Sequence, residues 1–217
     1  MSIYKIIIPL QVMFRGSRMR RFAEMFALRD GMRVIDVGGR KCNWTLIEQK
    51  PDVTLTNIEF NSYEDGRFHY VHTDGGKLPY ADESFALCYS NSVIEHVGDA
   101  KARAAFAAEI RRIAPSYYVQ TPNKWFFSDP HTVGAFVHWL PKRWQRKLIR
   151  WCTPWGLVDR PNQAAIDALL AEIDLLTVAE MRALFPDATI LKERFFGLTK
   201  SIIAVRRQTS SCLVNGR

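Results

Sequence analysis

The segment Arg33-Val-Ile-Asp-Val-Gly-Gly39 constrains the fold more than any other part of the sequence. It is a short, β-branched, apolar run of the kind that is buried on both faces in a parallel sheet, and it ends in two glycines. Glycine lets the backbone turn sharply and lets a ligand approach it closely. The segment therefore predicts a central strand that leads into a loop suited to binding.

Further along the chain, strand patterns alternate with helix patterns. Strands are expected at 53–58, 68–72, 85–90 and 116–120, and helices at 17–28, around Trp44, Leu46 and Ile47, and at 101–113. Alternation at this pace implies right-handed crossovers and a largely parallel sheet.

The last part of the sequence has a different pattern. Thr177-Val-Ala-Glu180 is a capping box, which predicts a helix that continues to Leu184. Two strands, at 188–193 and 199–205, lie close enough to pair as an antiparallel hairpin through Gly197. We therefore predict an α/β fold with a Rossmann-like doubly wound, mostly parallel sheet, a C-terminal antiparallel hairpin and a helical insertion after the fifth strand.

A length of 217 residues fits one domain. We assign residues 1–206 to it, with an N-terminal helical segment at 1–29, a helical lid at 124–175 and a flexible tail at 207–217. The lid holds most of the six tryptophans. It is too long for a plain connection, and long insertions at a sheet edge commonly form lids and binding loops.

The net charge is +8, and basic residues cluster within 15–21 and 142–150. Such clusters attract phosphorylated substrates, lipid headgroups or nucleic acid, or simply form a solvated surface. No run approaches the roughly 20 apolar residues that a membrane-spanning helix needs. The four cysteines are scattered and suit reduced thiols. We expect a cytoplasmic protein, with a peripheral membrane location as the alternative.

Four predicted strands end in acidic, small or amide residues. These are Asp36, Gly38 and Gly39 after the first strand, Glu59 after the second, Asp74 and Gly75 after the third, and Ser90 and Asn91 after the fourth. Ligands of an open parallel sheet bind beyond the carboxyl ends of its strands. A carboxylate about 20 residues past the glycines has the spacing that binds ribose hydroxyls, whereas no Gly-x-Gly-x-x-Gly is present to hold a pyrophosphate. The pattern favours a nucleoside cofactor over a dinucleotide.

Together with Leu78-Pro79, Glu83-Ser-Phe85 and Val93-Ile-Glu-His-Val97, these residues resemble the class I S-adenosylmethionine (SAM)-dependent methyltransferases of the broad small-molecule type. The resemblance spans roughly residues 33–123 and implies SAM as the cofactor.

By the same resemblance, Asp36 and Gly38 border the methionine moiety and Glu59 holds the ribose. Asp74 then sits by the adenine amino group, and the loop at Ser90-Asn91 runs along the cofactor. One departure concerns the glycine loop, where Arg40 and Cys42 occupy positions at which the family usually carries glycines. The loop must therefore follow another path.

Candidate acceptor residues lie where the fifth strand leads into the lid. His131 follows Thr121-Pro-Asn123 closely enough to face the cofactor edge, and an imidazole with a pKa of about 6.5 can act as a base at neutral pH. Asn123 and Trp125 complete the predicted acceptor rim. The alternative for His131 is a structural histidine that bonds the loop backbone. His138 lies in the same lid.

Glu95-His96 also invites a catalytic interpretation. Related ubiquinone-pathway O-methyltransferases carry a further Glu three residues before this Glu, where Ser92 stands here. The sequence therefore predicts no metal site, and we expect His96 to pack and hydrogen-bond near the sheet.

The predicted function is methyl transfer from SAM to an O or N atom of a small-molecule, lipid-linked or glycan-type acceptor by in-line displacement. Two alternatives remain. One is a SAM-binding protein without transfer activity. The other is a basic, aromatic protein that binds a membrane or nucleic acid. Nucleic acid is the less favoured partner because no RNA-binding module is recognisable.

Overall fold

Eight strands form one sheet in the computed structural model, which describes residues 15–208. Their bounds are β1 Arg33–Val37, β2 Asp52–Asn57, β3 Tyr63–Asp65, β4 Phe68–His72, β5 Leu87–Asn91, β6 Tyr117–Pro122, β7 Thr189–Phe195 and β8 Leu198–Arg206. The strand order is β3-β4-β2-β1-β5-β6-β8-β7. The five central strands are parallel, whereas β3, β7 and β8 pair in antiparallel fashion.

The order of the strands reverses between β1 and β5. From β1 the chain passes to β2 and β4 on one side, then returns to β5 and β6 on the other. This switch point leaves a crevice at the carboxyl ends of β1 and β5, where open parallel sheets bind their ligands. The predicted doubly wound fold and its C-terminal hairpin are confirmed.

The helices cover both faces of the sheet and build the lid. They are α1 at 15–25, α2 Ala100–Ile113, α3 Lys142–Cys152, α4 Pro154–Asp159, α5 Gln163–Glu172 and α6 Val178–Leu184. Side-chain caps stand at the starts of α2, α4, α5 and α6. Asp99 accepts a hydrogen bond from the Ala102 amide at the start of α2, and Thr177 and Glu180 form the predicted capping box of α6.

The core lies on the two sides of the sheet. On one side, α2 and α6 bury Phe106, Ile110 and Phe185 against the strands. On the other side, Phe22 of α1 packs against Trp44 and Tyr89, with ring centroids 6.0 and 4.7 Å away. The apolar, β-branched central strands are therefore covered on both faces, as their composition predicts.

Two local predictions differ from the structure. The expected helix around Trp44 is replaced by a single 3-10 turn at Lys41–Asn43, because the Trp44 side chain is drawn back into the core and bonds Asp36, eight positions earlier. The short edge strand β3 was not predicted, since all three of its residues are exposed and carry no burial signal.

The lid prediction agrees with the structure only in part. Residues 124–141 contain turns and a 3-10 turn at Val137–Trp139, and the helices begin at α3. Val137, Ile149 and Ile166 form a small core of their own. The predicted segments at 1–29 and 207–217 fall partly outside the described residues. Within 15–208, no helix combines the length and apolarity needed to cross a bilayer.

Arg18 of α1 connects four elements through one guanidinium group. It donates to Asn91 Oδ1 at the end of β5 (2.7 Å), to Gln120 Oε1 on β6 (3.3 Å) and to both carboxylate oxygens of Glu193 on β7 (2.7 and 3.3 Å). The Arg18 side chain is only 10% exposed and that of Glu193 19%. A planar, bidentate pair of this kind is well suited to a partly buried position.

We predict that Arg18→Met lowers the free energy of unfolding by about 2–3 kcal/mol, because it leaves the Glu193 carboxylate largely buried without its partner. Arg146→Met is the matched control. Arg146 also makes a bidentate pair, with Asp167, but both side chains are far more exposed, so its loss should lower the free energy of unfolding much less than the loss of Arg18. Urea unfolding measures the free energy of unfolding of both variants. Equal losses would contradict the greater structural role given to the Arg18–Glu193 pair.

Candidate active site

The glycine loop after β1 is held by two close contacts. Gly38 has φ +75°, and a Cβ there would lie 2.5 Å from the Val93 side chain. A Cβ on Gly39 would lie 1.9 Å from the carboxyl group of Asp36. Both positions therefore require glycine, and the loop passes directly over the residues that follow β5.

Asp36 lies beneath this loop and has no exposed surface. Its Oδ2 accepts a hydrogen bond from the Trp44 indole at 2.8 Å, while its Oδ1 has no hydrogen-bond partner within 15–208. Burial raises the pKa of the carboxyl to about 7, although the indole bond acts in the opposite direction. Asp36 thus supports the loop from below.

The end of β2 contains a residue that the sequence reasoning missed. Asn57 donates to the Gly38 carbonyl at 3.3 Å and accepts from the Glu59 amide at 3.1 Å. It therefore links the glycine loop to the predicted ribose carboxylate. Glu59 itself is exposed and forms an ion pair with Arg40. Arg40, which stands where the family usually has glycine, thus pairs with the residue predicted to bind the ribose.

Asp74 and Gly75 stand after β4. The Asp74 carboxylate is exposed and its Oδ1 accepts from the Gly76 amide at 2.9 Å. A Cβ on Gly75 would lie 2.7 Å from Phe106 and 2.9 Å from Val37. This close packing holds the turn against the core while its carboxylate faces outward.

Ser90 and Asn91 use their side chains within the protein. The buried Ser90 hydroxyl donates to the Val37 carbonyl at 3.0 Å, which ties β5 to β1. The Asn91 side-chain oxygen accepts from Arg18 at 2.7 Å. These bonds fix the crevice wall, and the role of Arg18 in it was not visible in the sequence because its partners lie 73 to 175 positions away.

A cavity of about 330 Å³ adjoins the ends of β5 and β6. Its lining combines basic and aromatic side chains with polar strand ends; the basic and aromatic members are Arg15, Arg18, Lys200, Phe126, Phe127 and Phe195. Of the predicted acceptor rim, Asn123 is buried and donates to the Thr199 carbonyl at 2.8 Å, whereas Trp125 is 62% exposed. Neither lines this cavity, although their neighbours Pro122 and Phe126 do.

His131 is held by a carboxylate within the lid. Its Nδ1 lies 2.8 Å from Asp129 Oδ1, and its amide donates to the same oxygen at 3.0 Å. Burial alone would lower the pKa of His131, but the bond to Asp129 and its charge outweigh burial and raise it above the ordinary value. His138 instead donates to the Phe126 and Lys124 carbonyls and has a structural place in the lid.

Comparison with known proteins agrees with this architecture. Residues 36–116, which include all four strand ends, match the family model described as "Methyltransferase domain". No curated protein matches the chain. A SAM-dependent methyltransferase from Mesorhizobium loti is 15% identical with a TM-score of 0.54, over 88% of this chain and 96% of that chain.

Two further solved structures are similar in fold. Phosphoethanolamine N-methyltransferase 2 from Haemonchus contortus, in complex with SAM, is 13% identical with a TM-score of 0.53, over 81% of this chain and 38% of that chain. The 1,6-didemethyltoxoflavin-N1-methyltransferase from Burkholderia thailandensis is 14% identical with a TM-score of 0.50, over 91% of this chain and 78% of that chain. The chain thus spans well under half the length of the Haemonchus enzyme.

The family match and the fold lead to one class. Residues 36–116 match a methyltransferase domain, and the fold resembles that of SAM-dependent methyltransferases. Both findings agree with the predicted class I SAM-dependent methyltransferase family, while the activity, the cofactor and the roles of the individual site residues stay predictions.

The buried carboxyl under the glycine loop gives a pH prediction. Between the ordinary Asp pKa of about 3.9 and the folded value of about 7, the unfolded chain has lost a proton that the folded chain keeps. Stability should therefore fall as pH rises through this window. Asp36→Asn removes the effect, so the variant should match the parent near pH 4 and exceed its free energy of unfolding by about 4 kcal/mol at pH 8.

Asp167→Asn is the control of opposite sign. The bonds from Arg146 and Gln163 lower the pKa of Asp167 to about 2, so any stability that this group adds is lost as pH falls below about 4. Urea unfolding between about pH 2.5 and 8 compares the two variants with the parent and covers both windows. A pH-independent difference for Asp36→Asn would contradict the assignment.

Proposed function

We propose that this chain transfers the methyl group of SAM to an oxygen or nitrogen atom of a small molecule that carries an anionic group and an apolar body. The observation behind the proposal is the convergence of the ends of β1, β2, β4 and β5 at the switch point, next to a cavity of about 330 Å³ with basic and aromatic walls.

The residues around the crevice fit SAM chemically. The Glu59 and Asp74 carboxylates are both exposed at strand ends, where they can accept hydrogen bonds from ribose hydroxyls and from the adenine amino group. Gly38, with no room for a Cβ, presents bare backbone on which the methionine moiety would rest. In this proposal Gly39, Gly75, Ser90 and Asn91 shape the cofactor site mainly through backbone and packing.

The Arg40–Glu59 ion pair must open for the carboxylate to bind ribose. Their side chains are 65% and 58% exposed, and exposed pairs of this kind contribute about 0–1 kcal/mol. Opening the pair is therefore a small cost beside the binding energy of a cofactor. Arg40 then acts as a weak competitor for Glu59.

The acceptor is inferred from the cavity walls. Arg15, Arg18 and Lys200 place positive charge there, of which Glu193 offsets only part. Phe126 and its aromatic neighbours supply an apolar wall. Such walls suit a phosphorylated or carboxylated molecule with an aromatic, acyl or isoprenoid-like part, which includes lipid-linked acceptors.

SAM supplies an electrophilic methyl group on its sulfonium sulfur. The protein has to hold the acceptor atom in line with that methyl group at about 3 Å and to exclude water. A hydroxyl or ammonium acceptor must also lose a proton. His131 is the candidate proton acceptor, and the adjacent Asp129 makes its imidazole more basic.

Calorimetric titration of the full chain tests the cofactor site. We expect SAM and its demethylated product to bind and NAD not to bind. Glu59→Ala should weaken SAM binding at least about tenfold, as expected for a lost charge-assisted hydrogen bond. Arg40→Ala should strengthen it up to a few-fold because the Glu59 carboxylate is released.

Asp65→Ala is the matched control, since Asp65 is also an exposed carboxylate paired with a cation of the same loop, Lys41. It should leave SAM affinity unchanged. Binding of NAD but not SAM would refute the proposal. SAM binding without methylation of any anionic acceptor offered would support the alternative of a non-transferring SAM-binding protein.

A second proposal concerns the lid and an anionic membrane surface. Arg143, Trp144, Lys147, Arg150 and Trp151 share one side of α3, here called the tryptophan face, because residues at spacings of three, four and seven align on a helix. Trp144 is 49% and Trp151 68% exposed. The Lys147 ammonium lies 5.8 Å from the Trp144 ring, and the Arg150 guanidinium 5.6 Å from that of Trp151.

Tryptophan beside lysine and arginine suits the headgroup region of a bilayer. The ring enters the interface while the cations attract anionic lipids, each worth about 1 kcal/mol near the surface. A lid that rests on a membrane would also bring the chain to the surface that holds lipid-linked acceptors.

Vesicle flotation tests the tryptophan face. We expect the chain to float with vesicles that contain phosphatidylserine and not with phosphatidylcholine alone. Replacing both Trp144 and Trp151 with Ala should abolish flotation, whereas Phe196→Ala should not, although Phe196 is an aromatic residue that is 90% exposed. Binding to RNA in a shift assay, without flotation, would favour the nucleic-acid alternative instead.

A further inference from the structure

Three side chains with metal-binding atoms meet between the end of β6 and the lid. One ligand atom each from Glu95, His96 and His131 lies within 4.8 Å of the others. The rings of His96 and His131 stand almost perpendicular, with centroids 5.1 Å apart. Two histidines and a carboxylate form the protein part of many catalytic zinc sites, in which a further position stays open for water or substrate.

The buried carboxylate is only half satisfied. Glu95 has no exposed surface, and its Oε2 accepts from the Thr121 hydroxyl at 3.0 Å. Its Oε1 is buried and has no hydrogen-bond partner within the described chain. A buried carboxylate oxygen without a partner is costly. A cation between it and the imidazoles would remove that cost.

Each histidine of the cluster is oriented by its own carboxylate. His96 Nδ1 lies 2.8 Å from Glu172 Oε1, and His131 Nδ1 lies 2.8 Å from Asp129 Oδ1. This is the outer-shell arrangement typical of metal-binding histidines, in which the carboxylate fixes the tautomer and makes the imidazole a better ligand. His69, in contrast, has a carboxylate on each ring nitrogen, and it belongs to no such cluster.

We propose that Glu95, His96 and His131 bind one divalent transition-metal ion, with zinc the best match to a two-histidine, one-carboxylate set. The His96 and His131 side chains are 31% and 17% exposed, which gives an ion a path in from solvent. Glu172 and Asp129 act as positioning residues for the two imidazoles.

Two residues next to the site in sequence line the acceptor cavity. Pro122, next to the Glu95 partner Thr121, lines that cavity, and so does Pro130, next to His131. If the proposed methyl transfer holds, an acceptor oxygen can occupy the open position, where the ion lowers its pKa and takes over the task assigned to a histidine base. The metal proposal itself rests on the cluster and not on the transfer reaction.

Metal uptake by the full chain, without an affinity tag and stripped with EDTA, is the test. We expect one Zn²⁺ per chain in calorimetry and, with Co²⁺, visible absorption bands of a nitrogen- and oxygen-ligated ion. His96→Ala should weaken Zn²⁺ binding at least about 100-fold, and Glu172→Gln, which changes only an exposed outer-shell partner, by about 10- to 100-fold. His72→Ala removes a histidine outside the cluster and should change nothing.

Zn²⁺ uptake far below one ion per chain, or equal affinity in the parent and His96→Ala, would overturn the proposal. Glu172→Gln keeps the test valid if His96→Ala fails to fold, since affinity equal to that of the parent would also count against the site. SAM binding is measured in parallel. SAM binding without Zn²⁺ uptake would refute only the metal site. Zn²⁺ uptake without SAM binding would refute only the cofactor proposal.

Discussion

The buried carboxyl of Asp36 is the constraint on which the cofactor side of this fold depends. It holds the Trp44 indole, and Trp44 is the largest fully buried side chain and packs under α1. It also leaves no room for a side chain at Gly39. Asp36 thereby sets the path of the glycine loop and the packing of the core between α1 and the sheet. Burial disfavours the ionised form of Asp36. Keeping this carboxyl group under the loop therefore costs free energy of folding at neutral pH.

The other wall of the crevice depends on Arg18 in an analogous way. Its guanidinium joins the amide groups of Asn91 and Gln120 to the Glu193 carboxylate of the hairpin. The helix α1 therefore covers the core with its apolar face and at the same time fixes the strand ends that line the cavity. A carboxylate under one wall and a guanidinium in the other hold the two halves of the crevice, and α1 connects them because it carries Arg18 and packs on Trp44.

The sequence predicted the sheet well, because burial and turn chemistry are local signals. Period-2 and apolar runs located the parallel strands, and the capping box at Thr177 and the turn at Gly197 located the C-terminal elements. It failed where a distant partner decides the local structure. Trp44 forms no helix because its side chain turns back into the core and bonds Asp36. The exposed strand β3 leaves no burial pattern to read.

The same limit explains why the cluster of Glu95, His96 and His131 was not predicted. Glu95 and His96 are adjacent in sequence, but the third group comes from the lid, 35 positions beyond His96. No local spacing encodes that encounter. It arises because β6 carries the chain back to the switch point and the lid folds over its end, where Thr121 contacts Glu95 and Asp174 bonds the Glu95 backbone. The lid thus supplies the third side chain of a cluster that neither segment holds alone.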